Sequence, residues 1–336
     1  MIRVGVVGAL GYGARELIRL LGMHPEAELV AAADLESGKR LDEVLPSFGK
    51  ITDVVTEPFD AEALAGKCDV VFIAVPGTKS MAIGAALRAA KIKTIDQGPD
   101  FRLKDTAAFA KYYKTEHTAP HLLDEAVYGM APFYREAIRK AELIAAPGCY
   151  VMSALVPLKP LADVLDPGYP VIMNAISGIS GAGRAAHEAF HFPEMNENLK
   201  AYKVAVHQHT PEIEQELGNR VPVQFAPHVG PYTRGILSTI TVRLTEDVDL
   251  AERYACYADE PFIRVLGEGK LAEIRNVRAS NFCDFGWVID ERTGHLIIVS
   301  AIDNLCGGTA GMAVQSMNIM FGLDERCGLT YGGMAP

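Results

Sequence analysis

The chain predicts an α/β protein in two parts: an open, doubly wound parallel sheet first, then a second α+β domain. Three observations carry that prediction. A glycine-rich turn follows an apolar run within residues 2–14. Apolar runs of strand length then alternate with helical patterns as far as residue 148, as in a parallel sheet covered on both faces. Beyond that point the texture becomes richer in strands. With 336 residues, 49% of them hydrophobic, the chain is long enough to build two cores.

In order, IRVGVVG (2–8) reads as a short buried strand, and GALGYGARELIRLLGMH as a turn and helix ending near Gly22. ELVAAAD (28–34) reads as the second strand and ESGKR as loop. CDVVFIAVP (68–76) is a strand, SMAIGAALRAAK an Ala-rich helix with an apolar face, and IKTIDQG (92–98) and KAELIAAPG (140–148) are further strands. Past Cys149, β-rich segments are PVIMNAISGISGAG, KVAVHQHTPEIEQELG, VPVQFAPHVG, RGILSTITVRL and GHLIIVSAID, while DLAERYACYADEPF reads as an amphipathic helix. NLCGGTAGMAVQSMNIMFG closes the pattern as a long helix that can return to the first domain. No repeat or low-complexity linker interrupts it.

The 42 acidic and 32 basic side chains give a formal charge of −10, which weighs against non-specific nucleic-acid binding. No basic stripe is interleaved with aromatics. No stretch has the length and apolarity of a membrane span, and the amino terminus lacks the pattern of a leader, so a cytoplasmic location is expected. The six cysteines are scattered without a C-x-x-C pair, which favours reduced core residues over a disulfide framework.

GALGYGA (8–14) has G-x-x-G-x-x-A spacing. Small residues there let a strand turn tightly into a helix and let a pyrophosphate approach the helix N–H groups; the alternative is a purely structural turn. Its place directly behind the first strand favours a nicotinamide dinucleotide and a Rossmann-like domain, with Gly8, Leu10, Gly11, Tyr12 and Gly13 as cofactor contacts. Asp34 ends the second strand, where a carboxylate suits an adenosine ribose and NAD; Lys39 and Arg40 nearby leave NADP open.

Cys149 sits between LIAAPG and YVMSALVPL. It is either a buried filler or a nucleophile at a junction where a helix start favours the thiolate. HEAFH (187–191) fits H-E-x-x-H, in which His187 and His191 would bind zinc and Glu188 would activate water. The following FPEM interrupts any helix and no third ligand is indicated, so no metal is expected. In VHQHTPEIEQELG (206–218), His207 and His209 are expected to alternate on a strand, as acid/base groups, polar strand residues or metal ligands. Thr210 begins a turn, and Pro211 favours a helix start with Glu212 and Glu214 in its first turn. SGISGAGR leads to Arg184 and VGPYTRG presents Arg234; each suits a carboxylate or phosphate, or a surface ion pair.

Taken together, GALGYGARELI, DFR (100–102), YG (128–129), PGCY (147–150), SGISGAGR, HQHTPEIEQ, TRGIL and DNL…GTAG…VQSMN resemble the N-acetyl-γ-glutamyl-phosphate reductases of the semialdehyde dehydrogenase superfamily, over nearly the whole chain. The resemblance implies NADPH-dependent reduction of that acyl phosphate to the semialdehyde and phosphate, in arginine biosynthesis, through a thioester on Cys149 with His209 as acid/base. It implies a cofactor domain (1–148 plus 304–336, with Asn304 at the cofactor) and a catalytic and oligomerisation domain (149–303) in a homodimer or homotetramer. In the mechanism so implied, Arg184 or Arg234 holds anionic substrate groups and Glu212 orients a histidine or substrate amide. The chain departs from the family pattern at Ala146, Val151, Gln97-Gly98-Pro99, Ala131-Pro132 and Gly307. Those departures leave a different acyl phosphate, or a nucleotide-sensing relative without activity, as alternatives.

Overall fold

In the first unit the longest apolar runs become the middle of a sheet. The computed structural model describes residues 1–335 and divides the chain into Met1–Pro147 with Thr309–Thr330, and Gly148–Gly308 with the segment from Tyr331 on. The first unit runs β1 (Ile2–Val7), α1 (Tyr12–Leu21), β2 (Ala27–Ala33), α2 (Leu41–Val44), β3 (Thr56–Glu57), α3 (Ala61–Lys67), β4 (Val70–Ile73), α4 (Ser80–Ala89), β5 (Lys93–Asp96), α5 (Thr106–Tyr113), β6 (Val127–Tyr128), α6 (Ala131–Lys140) and β7 (Leu143–Ala145). All seven strands pair in parallel in the order β3-β2-β1-β4-β5-β7-β6. The order reverses at β1 and β4, so the C-terminal ends of these strands flank the crevice where such sheets bind ligands. Val4, Val6, Val70, Phe72 and Ile95 are fully buried there, as strands covered by helices on both faces require.

Helix α1 buries Leu17, Ile18, Leu20 and Leu21, and ends where the Gly22 N–H reaches Ile18 O at 2.9 Å. Asp60 and Asp105 cap α3 and α5 by accepting the N–H of Ala63 and Ala107. At the end of β5, Arg102 donates to Gln97 O and Ala146 O at 2.9 and 2.7 Å, tying the loop after β5 to the end of β7. Beside it Ser80 Oγ lies 2.8 Å from Asp96 Oδ2 and 2.9 Å from Asp100 Oδ2. The hydroxyl has one proton, so Ser80 donates to one of these two carboxylates at a time.

The second unit runs α7 (Cys149–Leu158), β8 (Val171–Gly178), α8 (Phe192–Met195), β9 (Lys200–Ala201), α9 (His209–Glu216), β10 (Val223–Gly230), β11 (Ile236–Val242), α10 (Leu250–Tyr254), β12 (Ile263–Glu268), β13 (Cys283–Asp290) and β14 (His295–Ile302). Its mixed sheet has the order β12-β13-β14-β11-β8-β10-β9. Strand β11 alternates buried and half-buried residues throughout, and α7 lies across β11 and β14 with α9 beside it. A π-helical turn (Cys306–Ala310) leads into α11 (Gly311–Met320), which packs on α1 and α6 in the first unit and is buried along its whole length.

Several expectations change. Residues 203–208 form no strand, because Lys203 and Ala205 take left-handed φ values of 46° and 60° and break the alternation; His207 therefore precedes a helix that His209 starts. The amphipathic helix read at 249–262 shrinks to α10 and a 3-10 turn. The return to the first unit begins at Thr309, not Asn304, because Asp303 and Asn304 are bonded to Arg234, Gly235 and Ser180 of the second unit. All six cysteines are free thiols. Among the described residues no helix is long and apolar enough to cross a membrane.

Candidate active site

Cys149 is the first residue of α7, and Gly148 is its N-cap in extended conformation (φ −70°, ψ 149°) without a side-chain cap. The first residue of a helix lies at its positive end, a position that suits a nucleophilic thiol. Three contacts frame it. The Gly148 N–H donates to Glu212 Oε1 at 2.9 Å, with Glu212 almost wholly buried. A Cβ on Gly148 would stand 2.5 Å from His209 Nε2, so the imidazole lies directly against the turn before the thiol and only glycine fits. On the other side, a Cβ on Gly308 would meet Cys149 Cβ at 2.8 Å. The sheet-packed helix α7 and the first turn of α9 thus bring Cys149, His209 and Glu212 together from positions some sixty residues apart.

His207 has a different part. It is buried, and its Nδ1 accepts the His209 backbone N–H at 3.1 Å. Its ring stands edge-on to Tyr150, Tyr202, His209 and Phe225. Burial, then the neighbouring His209 and Lys203, push its pKa down to about 2, so the ring is neutral and carries its proton on Nε2. Tyr150 beside it donates to His228 O at 3.0 Å.

The two arginines part company. Arg234 makes a two-pronged pair with Asp303 (2.6 and 2.8 Å), whose carboxylate also accepts the N–H groups of Ala279, Leu305 and Cys306. Arg184 is exposed, in the loop after Gly183. Asn304 is committed within the second unit: Oδ1 accepts the Gly235 N–H at 2.7 Å and Nδ2 donates to Ser180 at 3.0 Å. HEAFH makes no α-helix; residues Glu188–Phe190 form a 3-10 turn that His187 caps by accepting the Ala189 N–H. The two histidines therefore lack the one-turn stacking of H-E-x-x-H, and no cluster of metal-binding side chains occurs among the described residues.

In the first unit the turn at 8–13 fits a dinucleotide. Gly8 has φ +85° and a Cβ there would meet Ala74 O at 2.7 Å, so the turn demands glycine. Gly11 N-caps α1 with no side-chain cap, and no acidic residue stands in the first turn, leaving the helix start suited to a phosphate. Asp34, at the end of β2, accepts the Leu10 N–H at 3.1 Å and the Glu36 N–H at 3.4 Å. Lys39 is exposed, while Arg40 is paired with Asp42.

Sequence reasoning singled out Cys149, His209 and the glycine turn; the structure brings the first two together at the start of α7 and sets the turn before α1. That reasoning missed the grip of Glu212 on Gly148, and the support that His207 gives to His209; a buried-looking acid and histidine within HQHTPEIEQ were the only signals.

Comparison with known proteins follows the same division. Residues 3–141 match the semialdehyde dehydrogenase NAD binding domain, and residues 149–304 the semialdehyde dehydrogenase dimerisation domain. The N-acetyl-gamma-glutamyl-phosphate reductase of Symbiobacterium thermophilum is 47% identical over 99% of this chain and 98% of its own length. That of Desulforudis audaxviator is 44% identical over 100% of both. Among solved structures, aspartate semialdehyde dehydrogenase II from Vibrio cholerae superposes with a TM-score of 0.72 at 15% identity, covering 96% of this chain and 98% of that one. Aspartate semialdehyde dehydrogenase with NADP from Candida albicans gives 0.70 at 16% identity, with 96% and 98% covered. These two likenesses concern the fold.

Proposed function

This chain belongs to the semialdehyde dehydrogenase family, and on that premise we propose that it reduces N-acetyl-γ-glutamyl phosphate to N-acetylglutamate semialdehyde and phosphate, with NADPH and through a covalent bond to Cys149. The observation that carries the reading is a thiol at a helix start, beside His209, in a chain so similar to reductases named for that substrate.

His209 takes the Cys149 proton, and Sγ attacks the acyl carbon; the C–S bond forms as the C–O bond to phosphate breaks, and phosphate leaves with the electron pair. The N–H groups at the start of α7 stabilise the oxygen that becomes negative in that step. Gly8, Leu10, Gly11, Tyr12 and Gly13 hold the dinucleotide, with Asp34 at its adenosine end. When bound, the dinucleotide supplies the hydride that brings the thioester to the aldehyde level. His209 then protonates the departing sulfur as the C–S bond breaks. Glu212 holds the turn before the thiol, so its effect on substrate passes through Gly148. Arg234, its fork fixed on one side by Asp303, is the group assigned to the substrate's anion, with Arg184 as a second. The match to a dimerisation domain supports assembly as a homodimer or homotetramer.

NADPH is chosen over NADH because the Asp34 carboxylate is turned onto Leu10 and Lys39 stands exposed nearby. Parallel binding titrations decide it: tighter NADH binding overturns the choice. For the reaction, the chain is given a panel of semialdehydes with phosphate, and reduction of the dinucleotide is followed by absorbance. N-acetylglutamate semialdehyde is the expected best substrate. Activity falls by about 10³-fold or more in Cys149→Ala and by about 10²-fold or more in His209→Ala. Full activity in Cys149→Ala defeats the covalent route, and preference for another semialdehyde defeats the substrate.

A further inference from the structure

Gln97 directly follows β5, and its backbone is fixed on both sides. Its N–H donates to Ile73 O at 2.9 Å, and its carbonyl accepts from Arg102 Nη2 at 2.9 Å. The residue is only 7% exposed, yet neither Oε1 nor Nε2 has a hydrogen-bond partner. Turning the amide over changes nothing, because both ends lack one. Native proteins satisfy nearly all buried polar atoms, so a side chain that leaves both ends unmet calls for a group from outside the protein.

Its position says which group. A Cβ built on Gly13 would stand 3.5 Å from Gln97 Oε1, so the amide is aimed at the first turn of α1, the same turn whose helix start suits a phosphate. In the strand order β5 lies two places from β1, on the opposite side from β2 and Asp34. A dinucleotide lying across the end of β1, with its adenosine toward Asp34 and its pyrophosphate on α1, extends its other half toward β5. Two strand spacings are about 10 Å, within the reach of that half.

We infer that Gln97 is a further cofactor-binding residue whose amide pairs with a group on the nicotinamide half of the dinucleotide that both donates and accepts hydrogen bonds. The ribose hydroxyls and the carboxamide share that chemistry. The inference rests on the dinucleotide reading of the Gly8–Gly13 turn, but not on Cys149 or the acyl phosphate. It predicts that the amide is a burden on the unliganded protein and an asset in the complex.

The test is equilibrium binding of NADPH, ADP-ribose and ADP to the full chain and to Gln97→Leu, with melting temperatures of the unliganded proteins. NADPH binding weakens about tenfold in the variant, the loss of roughly one buried hydrogen bond, while ADP binding is unchanged and the unliganded melting temperature holds or rises. Weakened ADP-ribose binding identifies the ribose; unaltered ADP-ribose binding identifies the carboxamide. Equal weakening of all three ligands, ADP included, overturns the inference, because the fault then lies in the α1 turn. Unchanged NADPH binding overturns it as well. Gln97→Glu, close in shape but lacking the Nε2 donor, repeats the test if the leucine variant is poorly folded, with the same outcomes. A wild-type chain that binds neither NADPH nor ADP-ribose sinks the dinucleotide reading itself, a result distinct from failure of Gln97 alone.

Discussion

Helices α1 and α7 begin on nearly the same backbone in different surroundings. Gly11 (φ −72°, ψ 160°) and Gly148 (φ −70°, ψ 149°) are both extended N-caps without a side-chain cap, and neither helix has an acidic residue in its first turn. Both therefore present the positive end of a helix. At α1 the surroundings stay open: the nearest atoms to a Cβ on Gly11 lie at 3.6 Å, and Gly8 supplies the tight bend behind it. At α7 they are closed, with His209 2.5 Å from the corresponding point and every residue from Tyr150 to Leu158 buried. A helix start that receives an anion needs room for approach. One whose first residue is proposed to become an anion needs neighbours that do not move.

Adding one methyl group to each turn is the strongest way to break that comparison. In Gly148→Ala the methyl displaces His209, and turnover falls by about 10²-fold or more with dinucleotide affinity unchanged, since a misplacement of this size disrupts the reacting geometry. In Gly11→Ala the contacts are ordinary, and affinity shifts by less than about threefold, a few tenths of a kcal/mol at an N-cap. Comparable losses in turnover from the two variants would mean that the helix starts are not held differently.

Glu212 sharpens the contrast at smaller scale. Glu212→Ala strands the Gly148 N–H and lowers stability by about 1–3 kcal/mol, read from denaturant unfolding. Glu212→Gln keeps an acceptor for that N–H and recovers most of the loss. If alanine and glutamine behave alike, the carboxylate charge and not the hydrogen bond is what matters there.

The smallest effect is one of slope. Asp96, wholly buried at the end of β5, is pushed up to about 7 by burial and then by the charge of Asp100, against an opposing pull from Gly98, Ser80 and Arg102. The native state therefore holds a proton that the unfolded chain releases near pH ~4. This contribution is complete below that pH and is lost as pH rises through 7. His207 runs the other way: with a native pKa near 2, it contributes fully above its unfolded value of ~6.5 and its contribution is lost as pH falls toward 2. Unfolding midpoints from pH 5 to 8 read both. Asp96→Asn, whose amide reproduces the protonated acid toward Gly98 and Ser80, removes a decline with rising pH. His207→Phe lowers stability overall but removes a rise between pH 5 and 6.5. Slopes identical to the wild type in both variants would exclude the two groups as the source.

The central strands were legible because β4 and β7 are continuous apolar runs and β1 and β2 are apolar but for Arg3 and Glu28, and α1 because its apolar residues recur at helical spacing before Gly22. The edges β3 and β6 were not, since two residues carry no periodicity. In β12 and β13 glycines and charged residues hide the strand signal, which pairing of β12 with β13 and of β13 with β14 overrides. The site was legible where chemistry imposes a residue type in a local motif, as at Gly8, Cys149 and His209. It was illegible where partners lie far apart in sequence: Glu212 accepts the N–H of a residue 64 positions away, and the unmet amide of Gln97 appears only once burial is known.

The descent of α11 into the first unit gives synthesis a direction. The ribosome completes Met1–Pro147 long before Thr309–Thr330 emerges, an interval of about 160 residues, or roughly 8–30 s at typical elongation rates. Through that interval α1 and α6 lack the helix that covers them, while the intervening residues have time to fold. Until Thr309–Thr330 is made, the nascent chain thus carries an unfinished apolar surface, and truncation before Gly311 leaves the first unit without its closing helix even though its own sheet is complete.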